Sequence, residues 1–110
     1  MAAQPSFSFD ALARFADNLY RARQRAELSQ TKAAEEASIG RPWLDRIEAG
    51  ESAPPLDVLI KLAFVYSTST GRLLEGISWT SSSVGGPLQG EYVVSDEPAV
   101  PADEGRSAGH

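Results

Sequence analysis

Only three residues, Ser38-Ile39-Gly40, stand between two short segments of helical periodicity, and that link constrains the fold more than any other feature of the chain. The first segment runs from Gln30 to Ala37, with Ser29 placed to cap its free amides, and the second from about Arg41 to Ala49, stopping at Gly50. Pro42 does not disturb the second, because a proline in the first turn gives up only an amide without a helical partner. A three-residue link is too short to fold one long helix back along another. It suits a tight corner that sets two short helices at roughly 90–120°. Such a corner needs a small residue where the helices cross, an apolar anchor in the turn, and apolar residues facing back from the second helix. Ala34, Ile39, and the pair Leu44 and Ile47 meet these needs, with Ala33 and Ala37 completing the buried side.

Helical spacing extends on both sides of the corner. Leu12, Phe15, Ala16, Leu19, Ala22 and Ala26 form one stripe of a helix from about Ser8 to Ala26, with Ser8 as N-cap and Phe7 and Leu12 at hydrophobic-staple positions. A fourth helix follows Pro54-Pro55, from about Leu56 to Tyr66, and a short fifth spans Thr70 to Glu75 between Ser69 and Gly76. Nothing in 7–77 alternates convincingly with period two, so the expected fold class is all-α. In helix four, Leu56, Leu59, Leu62, Ala63 and Tyr66 read as the inward stripe. Val58, Ile60, Phe64 and Val65 add apolar surface round the rest, as in a helix with a second surface to bury.

Charge divides the chain. Residues 1–77 carry nine Lys or Arg against ten Asp or Glu, whereas 78–110 carry one Arg against five acids, so most of the net −5 belongs to the C-terminal part. That part is rich in Ser, Gly and Pro, a composition that buries too little apolar area to offset chain entropy. The expected organisation is an arm at 1–7, a helical domain at 8–77 and a flexible, mostly disordered acidic tail at 78–110. Gly90 to Ser95 is the one stretch of the tail able to pair as a strand with a partner or a second copy.

Several chemistries find no support. With no cysteine there is no disulfide, thiolate zinc site or thiol nucleophile, and the single histidine, His110, is terminal and isolated. Glu35-Glu36 and Asp96-Glu97 are adjacent carboxylates whose side chains point apart, and no Gly-rich phosphate loop or catalytic triad occurs. The expectation is a protein that is not an enzyme, with no metal and no cofactor. No apolar stretch reaches membrane-spanning length and no secretory leader is evident, so no membrane association and a cytoplasmic location are expected.

The stretch from Leu28-Ser29-Gln30 through Arg46-Ile47-Glu48-Ala49-Gly50, the proline pair at 54 and 55, and Leu59-Ile60-Lys61-Leu62-Ala63 resembles the Cro/CI-type helix-turn-helix domains of bacterial and phage repressors, over about residues 14–77. The resemblance implies a five-helix, lambda-repressor-like domain that binds double-stranded DNA as a homodimer, with helix 41–49 in the major groove. It places Gln30 on a phosphate, and Arg41, Pro42, Asp45 and Arg46 near base edges. Trp43 is a further candidate, against a thymine methyl or sugar, with packing in the domain as the equal alternative. The resemblance also implies a structural ion pair between Arg23 and Glu48. Arginine suits the groove, since its two donors match guanine O6 and N7 for about 1–3 kcal/mol of discrimination.

Three positions depart from the pattern. Ser38 stands where the family prefers glycine, a strain of ~1–2 kcal/mol if the position is left-handed. Gly40 replaces the usual Ser or Thr cap, and Glu51 occupies a loop where the family often places phosphate-binding residues. Arg14, Arg21 and Arg25 share one face of helix one, as a phosphate-steering patch or as an ordinary solvated face. Ile60, Phe64, Leu73, Leu74, Ile77 and Trp79 are the candidate dimer interface. The alternative function is a protein-interaction module, antitoxin-like or an accessory regulatory subunit, working through helix 56–66 or through a protein partner for the acidic tail.

Overall fold

The computed structural model describes residues 9–82 and 86–95. Five helices lead into a two-stranded antiparallel hairpin: α1 (Phe9–Arg25), α2 (Gln30–Ala37), α3 (Arg41–Glu48), α4 (Leu56–Val65), α5 (Thr70–Leu73), β1 (Ile77–Ser82) and β2 (Gly86–Val94). The helix bounds follow the sequence signals closely. Ser29 caps α2 by accepting from the Lys32 amide at 3.0 Å, and Ser69 caps α5 by accepting from the Arg72 amide at 3.1 Å. The Ser8 cap and the Phe7 staple lie outside the described residues.

Phe15, Leu19, Leu44, Ile47, Leu62 and Leu73 are the largest fully buried side chains, and Ala33, Ala34 and Ala37 allow α2 to approach its neighbours closely. Four helices end on a left-handed residue whose turn returns two amides to the last helical carbonyls. After α3 that residue is Gly50; after α1, α2 and α4 it is Glu27, Ser38 and Ser67, which carry a Cβ into a conformation it disfavours.

Helix α4 keeps the expected stripe at Leu59, Leu62, Ala63 and Tyr66, all buried, and departs from it only at its start. Val58 is buried at 5% exposure while Leu56 is 70% exposed, so Val58 belongs to the core and Leu56 joins Ile60 and Phe64 on the outside. Both residues lie on the flanks of the stripe, where neighbouring elements and not periodicity decide burial. The Val58 and Leu59 amides both reach the Pro55 carbonyl and close the first turn.

The hairpin corrects the disordered-tail expectation for residues 78–82 and 86–95; residues 83–85 and 96–110 lie outside the described residues. Ile77 faces Val94 and Trp79 faces Tyr92, with an irregularity between Ser81 and Ser82. The Trp79 and Tyr92 rings meet edge to face, with centroids 5.1 Å apart, a cross-strand pairing that composition alone cannot register. A two-stranded sheet is marginal by itself, and here it is tied to the helices. The Ser95 amide donates to the Gly76 carbonyl at 2.7 Å, Arg14 donates to the Ser95 carbonyl, and Ile77 packs on the core. Asn18 steadies the approach by donating to the Leu73 and Glu75 carbonyls at 3.0 and 2.9 Å.

Candidate nucleic-acid interface

The corner places α3 across α2 with one face locked inward. Leu44 and Ile47 are fully buried and Ile39 packs against the core from the turn. Ser38 adopts φ 59°, ψ 43°, the left-handed geometry that strains a serine. Gly40 is the N-cap of α3 and offers no side-chain hydrogen bond, so the first α3 amides are left to the Gly40 carbonyl and to solvent or a ligand. Pro42 fits the first turn as its fixed φ allows.

The other face of α3 is open. Arg41, Pro42, Asp45 and Arg46 are exposed, whereas Trp43 is half-buried and packs against the core. Neither the Arg41 nor the Arg46 guanidinium has an ion-pair partner among the described residues. Gln30, at the start of α2, is held against α3: its Nε2 donates to Glu48 Oε1 at 3.0 Å and to Asp45 Oδ1 at 3.3 Å. A phosphate at the α2 N-terminus has to compete with these carboxylates for the same donor.

Behind the open face, Arg23 and Glu48 join α1 to the end of α3. Arg23 Nε donates to Glu48 Oε2 at 2.7 Å and Nη2 to Oε1 at 2.9 Å, while Nη1 donates to the Leu28 carbonyl at 2.9 Å. The side chains are only 10% and 6% exposed, and the Tyr20 ring lies 5.5 Å from the guanidinium carbon. This bidentate geometry is the strong form of a charge-assisted pair. The Glu48 hydrogen bond raises the Arg23 pKa, against an opposing burial effect, so the guanidinium stays charged. Alongside, Tyr66 is buried and its hydroxyl has no hydrogen-bond partner among the described residues. Burial, and secondarily the Glu48 charge, raise its pKa, with Arg23 opposing.

The arginines of α1 do not form one free patch. Arg14 is spent on the hairpin, and Arg21 pairs with Asp17 at 2.9 Å one turn away, leaving Arg25 exposed. The expected dimer residues also separate. Leu73 is 1% exposed and part of the core, Leu74 and Ile77 pack on that core, and Trp79 is engaged with Tyr92, so only Ile60 and Phe64 of the set stand on open surface, at 52% and 82%. From sequence Tyr66 reads only as core and Arg14 only as part of a surface patch. A tyrosine at the end of a helical stripe reads as core, and the partner of Arg14 lies 81 residues away.

Among the described residues no His, Asp and Glu side chains cluster as a metal site, and no helix is long and apolar enough to cross a membrane.

The sequence profile of the helix-turn-helix domain matches residues 14–77, more than half of the chain. The chain belongs to the helix-turn-helix domain family. Its arrangement is of the Cro/CI type, and solved structures of similar fold agree. An HTH_3 family transcriptional regulator from Vibrio cholerae superposes with TM-score 0.55 at 26% identity, over 59% of this chain and 36% of that one. The restriction-modification controller protein C.AhdI from Aeromonas hydrophila gives TM-score 0.54 at 26% identity, over 56% of this chain and 94% of that one. Hydroxypropylphosphonic acid epoxidase from S. wedmorenis shares the fold, with TM-score 0.59 at 22% identity, over 68% of this chain and 40% of that one. The helix-turn-helix chain therefore spans about a third of the Vibrio protein and under half of the epoxidase. No curated protein sequence matches it.

Proposed function

We propose that this helix-turn-helix protein is a sequence-specific DNA-binding transcriptional regulator, a repressor acting by occupancy, that inserts α3 into the major groove as a dimer. The observation that carries this reading is the state of α3. Its inward face is locked by Leu44, Ile47 and the Glu48 pair, while Arg41 and Arg46 stand exposed on the other, without an ion-pair partner among the described residues. A rigid helix with unspent guanidinium donors is what base readout requires, and each bidentate contact to guanine contributes about 1–3 kcal/mol. Gln30 positions the backbone, Pro42 and Asp45 flank the reading surface, and half-buried Trp43 meets the sugar edge.

Dimerisation is assigned to α4. Leu56, Ile60 and Phe64 are spaced four apart, and at 70%, 52% and 82% exposure they form one apolar stripe. Leu73, Leu74 and Ile77 support that helix from inside rather than entering the interface. A two-fold dimer predicts an inverted-repeat operator with half-sites about 34–36 Å apart. A cytoplasmic setting in a bacterium or phage, and the absence of catalysis, belong to the same reading. The stripe also favours a second one, in which α4 docks another protein and the chain acts as an interaction module.

Selection of bound duplexes from a random pool at low salt, with the Arg41→Ala/Arg46→Ala variant in parallel, tests the first reading. Enrichment of an inverted repeat by the parent chain alone is expected, with affinity falling steeply as salt rises. No enrichment by either chain overturns it in favour of the interaction module. Sedimentation of Phe64→Asp tests the interface: the parent sediments as a dimer and the variant as a monomer, and a monomeric parent at tens of micromolar refutes the dimer.

A further inference from the structure

Two carboxylates of α3 share one donor. The Gln30 side-chain amide, projecting from the first residue of α2, gives one hydrogen to Glu48 Oε1 at 3.0 Å and the other to Asp45 Oδ1 at 3.3 Å. We propose that Asp45 is a cytosine-selecting residue of the reading helix and that Gln30 is the residue that positions it. This inference rests on the DNA-binding reading and assigns one base within it.

Asp45 is anchored on one side only. Its Oδ1 takes the Gln30 amide, while Oδ2 accepts no hydrogen bond and meets no cation among the described residues. The side chain is exposed on the outward face of α3, one turn after Arg41 and beside Arg46. A carboxylate brought near DNA is repelled by the phosphates, so it gains a place in the groove only where a base offers it a donor. Cytosine does so without opposition, because its major-groove edge presents the N4 amino group and no acceptor. The adenine amino group stands beside the N7 acceptor, and guanine and thymine present acceptors there without a donor. Arg41 and Arg46 cannot make this contact in place of Asp45, since a guanidinium has donors alone.

Gln30 restricts where that carboxylate points. An unheld aspartate samples several rotamers and turns toward a nearby cation such as Arg41, four residues earlier on the same helix. The Gln30 hydrogen bond holds Oδ1 on the α2 side. Gln30 is held in turn, because its second hydrogen goes to Glu48, whose side chain is 6% exposed and fixed by Arg23 at 2.7 and 2.9 Å. The buried Arg23–Glu48 pair therefore extends by one link to the reading surface. With both side-chain amide hydrogens committed, a phosphate at the start of α2 is met by the Gln30 main-chain N–H, which has no helical partner.

Selection from a random duplex pool tests the assignment, followed by binding measurements on the enriched site and on the same site with the assigned C·G pair changed to T·A. For the parent, one column of the half-site is expected to be cytosine, and the change to T·A to weaken binding at least about fivefold. Asp45→Asn is expected to move that column to adenine, which asparagine pairs through N6 and N7, with the arginine columns unchanged. Gln30→Met keeps the shape and removes both donors, and it is expected to bring the affinity ratio between the two duplexes close to one. A Gln30 that only stabilises the fold weakens both duplexes by a common factor in Gln30→Met and leaves the ratio as it was; that result overturns the positioning role. A cytosine column that persists in Asp45→Asn, or a parent site without one, overturns the base assignment while the DNA-binding reading stands. A parent that enriches no duplex refutes that reading, and this inference with it. The contact has its own check without DNA. In ¹H–¹⁵N spectra of the free chain the Gln30 side-chain amide signals are expected to move in Asp45→Ala, and unmoved signals overturn the positioning role.

Discussion

Glu48→Ala removes the acceptor of a guanidinium that the fold has enclosed. Arg23 is 8% exposed, and three of its hydrogen bonds are accounted for, two on Glu48 at 2.7 and 2.9 Å and one on the Leu28 carbonyl at 2.9 Å. The substitution leaves the charge with only the Leu28 carbonyl and strips Gln30 Nε2 of its 3.0 Å partner. Breaking a buried pair from one side costs about 3–5 kcal/mol, because the remaining charge stays desolvated. A domain of this size holds roughly 5–15 kcal/mol in all and loses about 4–8 °C of Tm per kcal/mol, so a fall of at least about 12 °C is expected. Urea and thermal unfolding of Glu48→Leu, Arg23→Met and Arg23→Met/Glu48→Leu, beside Glu48→Ala, complete the cycle. The double variant is expected to be more stable than either single one, since apolar replacement of a whole pair is often neutral. A loss under about 1 kcal/mol in Glu48→Ala, or a double variant as unstable as the two single losses added together, refutes the account of a buried, mutually dependent pair.

Ser38→Gly relieves a left-handed serine and is expected to raise stability by about 1 kcal/mol, read as a higher urea midpoint at unchanged slope. Tyr66→Phe deletes a buried hydroxyl without a partner and is expected to raise stability by about 1 kcal/mol at neutral pH. Because the native Tyr66 pKa is raised above its ordinary 10, the unfolded chain releases that proton first as pH climbs past 10. It then binds fewer protons than the native state, so stability falls by up to about 1.4 kcal/mol per pH unit in the parent and less steeply in Tyr66→Phe. A parallel alkaline profile in both proteins contradicts this. Gly76→Ala puts a Cβ at φ 87°, only 2.7 Å from Arg14 Nη2, and so displaces the side chain that holds Ser95. Faster hydrogen exchange at the Ser95 amide is expected, reproduced by Arg14→Ala, which releases the hairpin without backbone strain; unchanged exchange in both refutes the anchor.

Local chemistry by itself determined most of the helical domain. Helix bounds rest on caps, prolines and 3.6-residue spacing, each confined to a few neighbouring residues, which is why Ser29, Ser69 and Gly50 marked their positions correctly. The three-residue link and the pattern Ala34, Ile39, Leu44, Ile47 were sufficient for the corner and for the outward face of Arg41 and Arg46. Tertiary structure decided what depends on distant partners. The flanks of α4 are decided by its neighbours, so Val58 is buried and Leu56 exposed while the rest of the stripe stands as expected. The hairpin exists because Trp79 meets Tyr92 and because Arg14, at the start of α1, reaches Ser95; neither contact leaves a periodic trace in a Ser- and Gly-rich stretch. Periodicity reports which face of an element is apolar, whereas the groups that share a cavity are set by the packing of elements far apart in the chain.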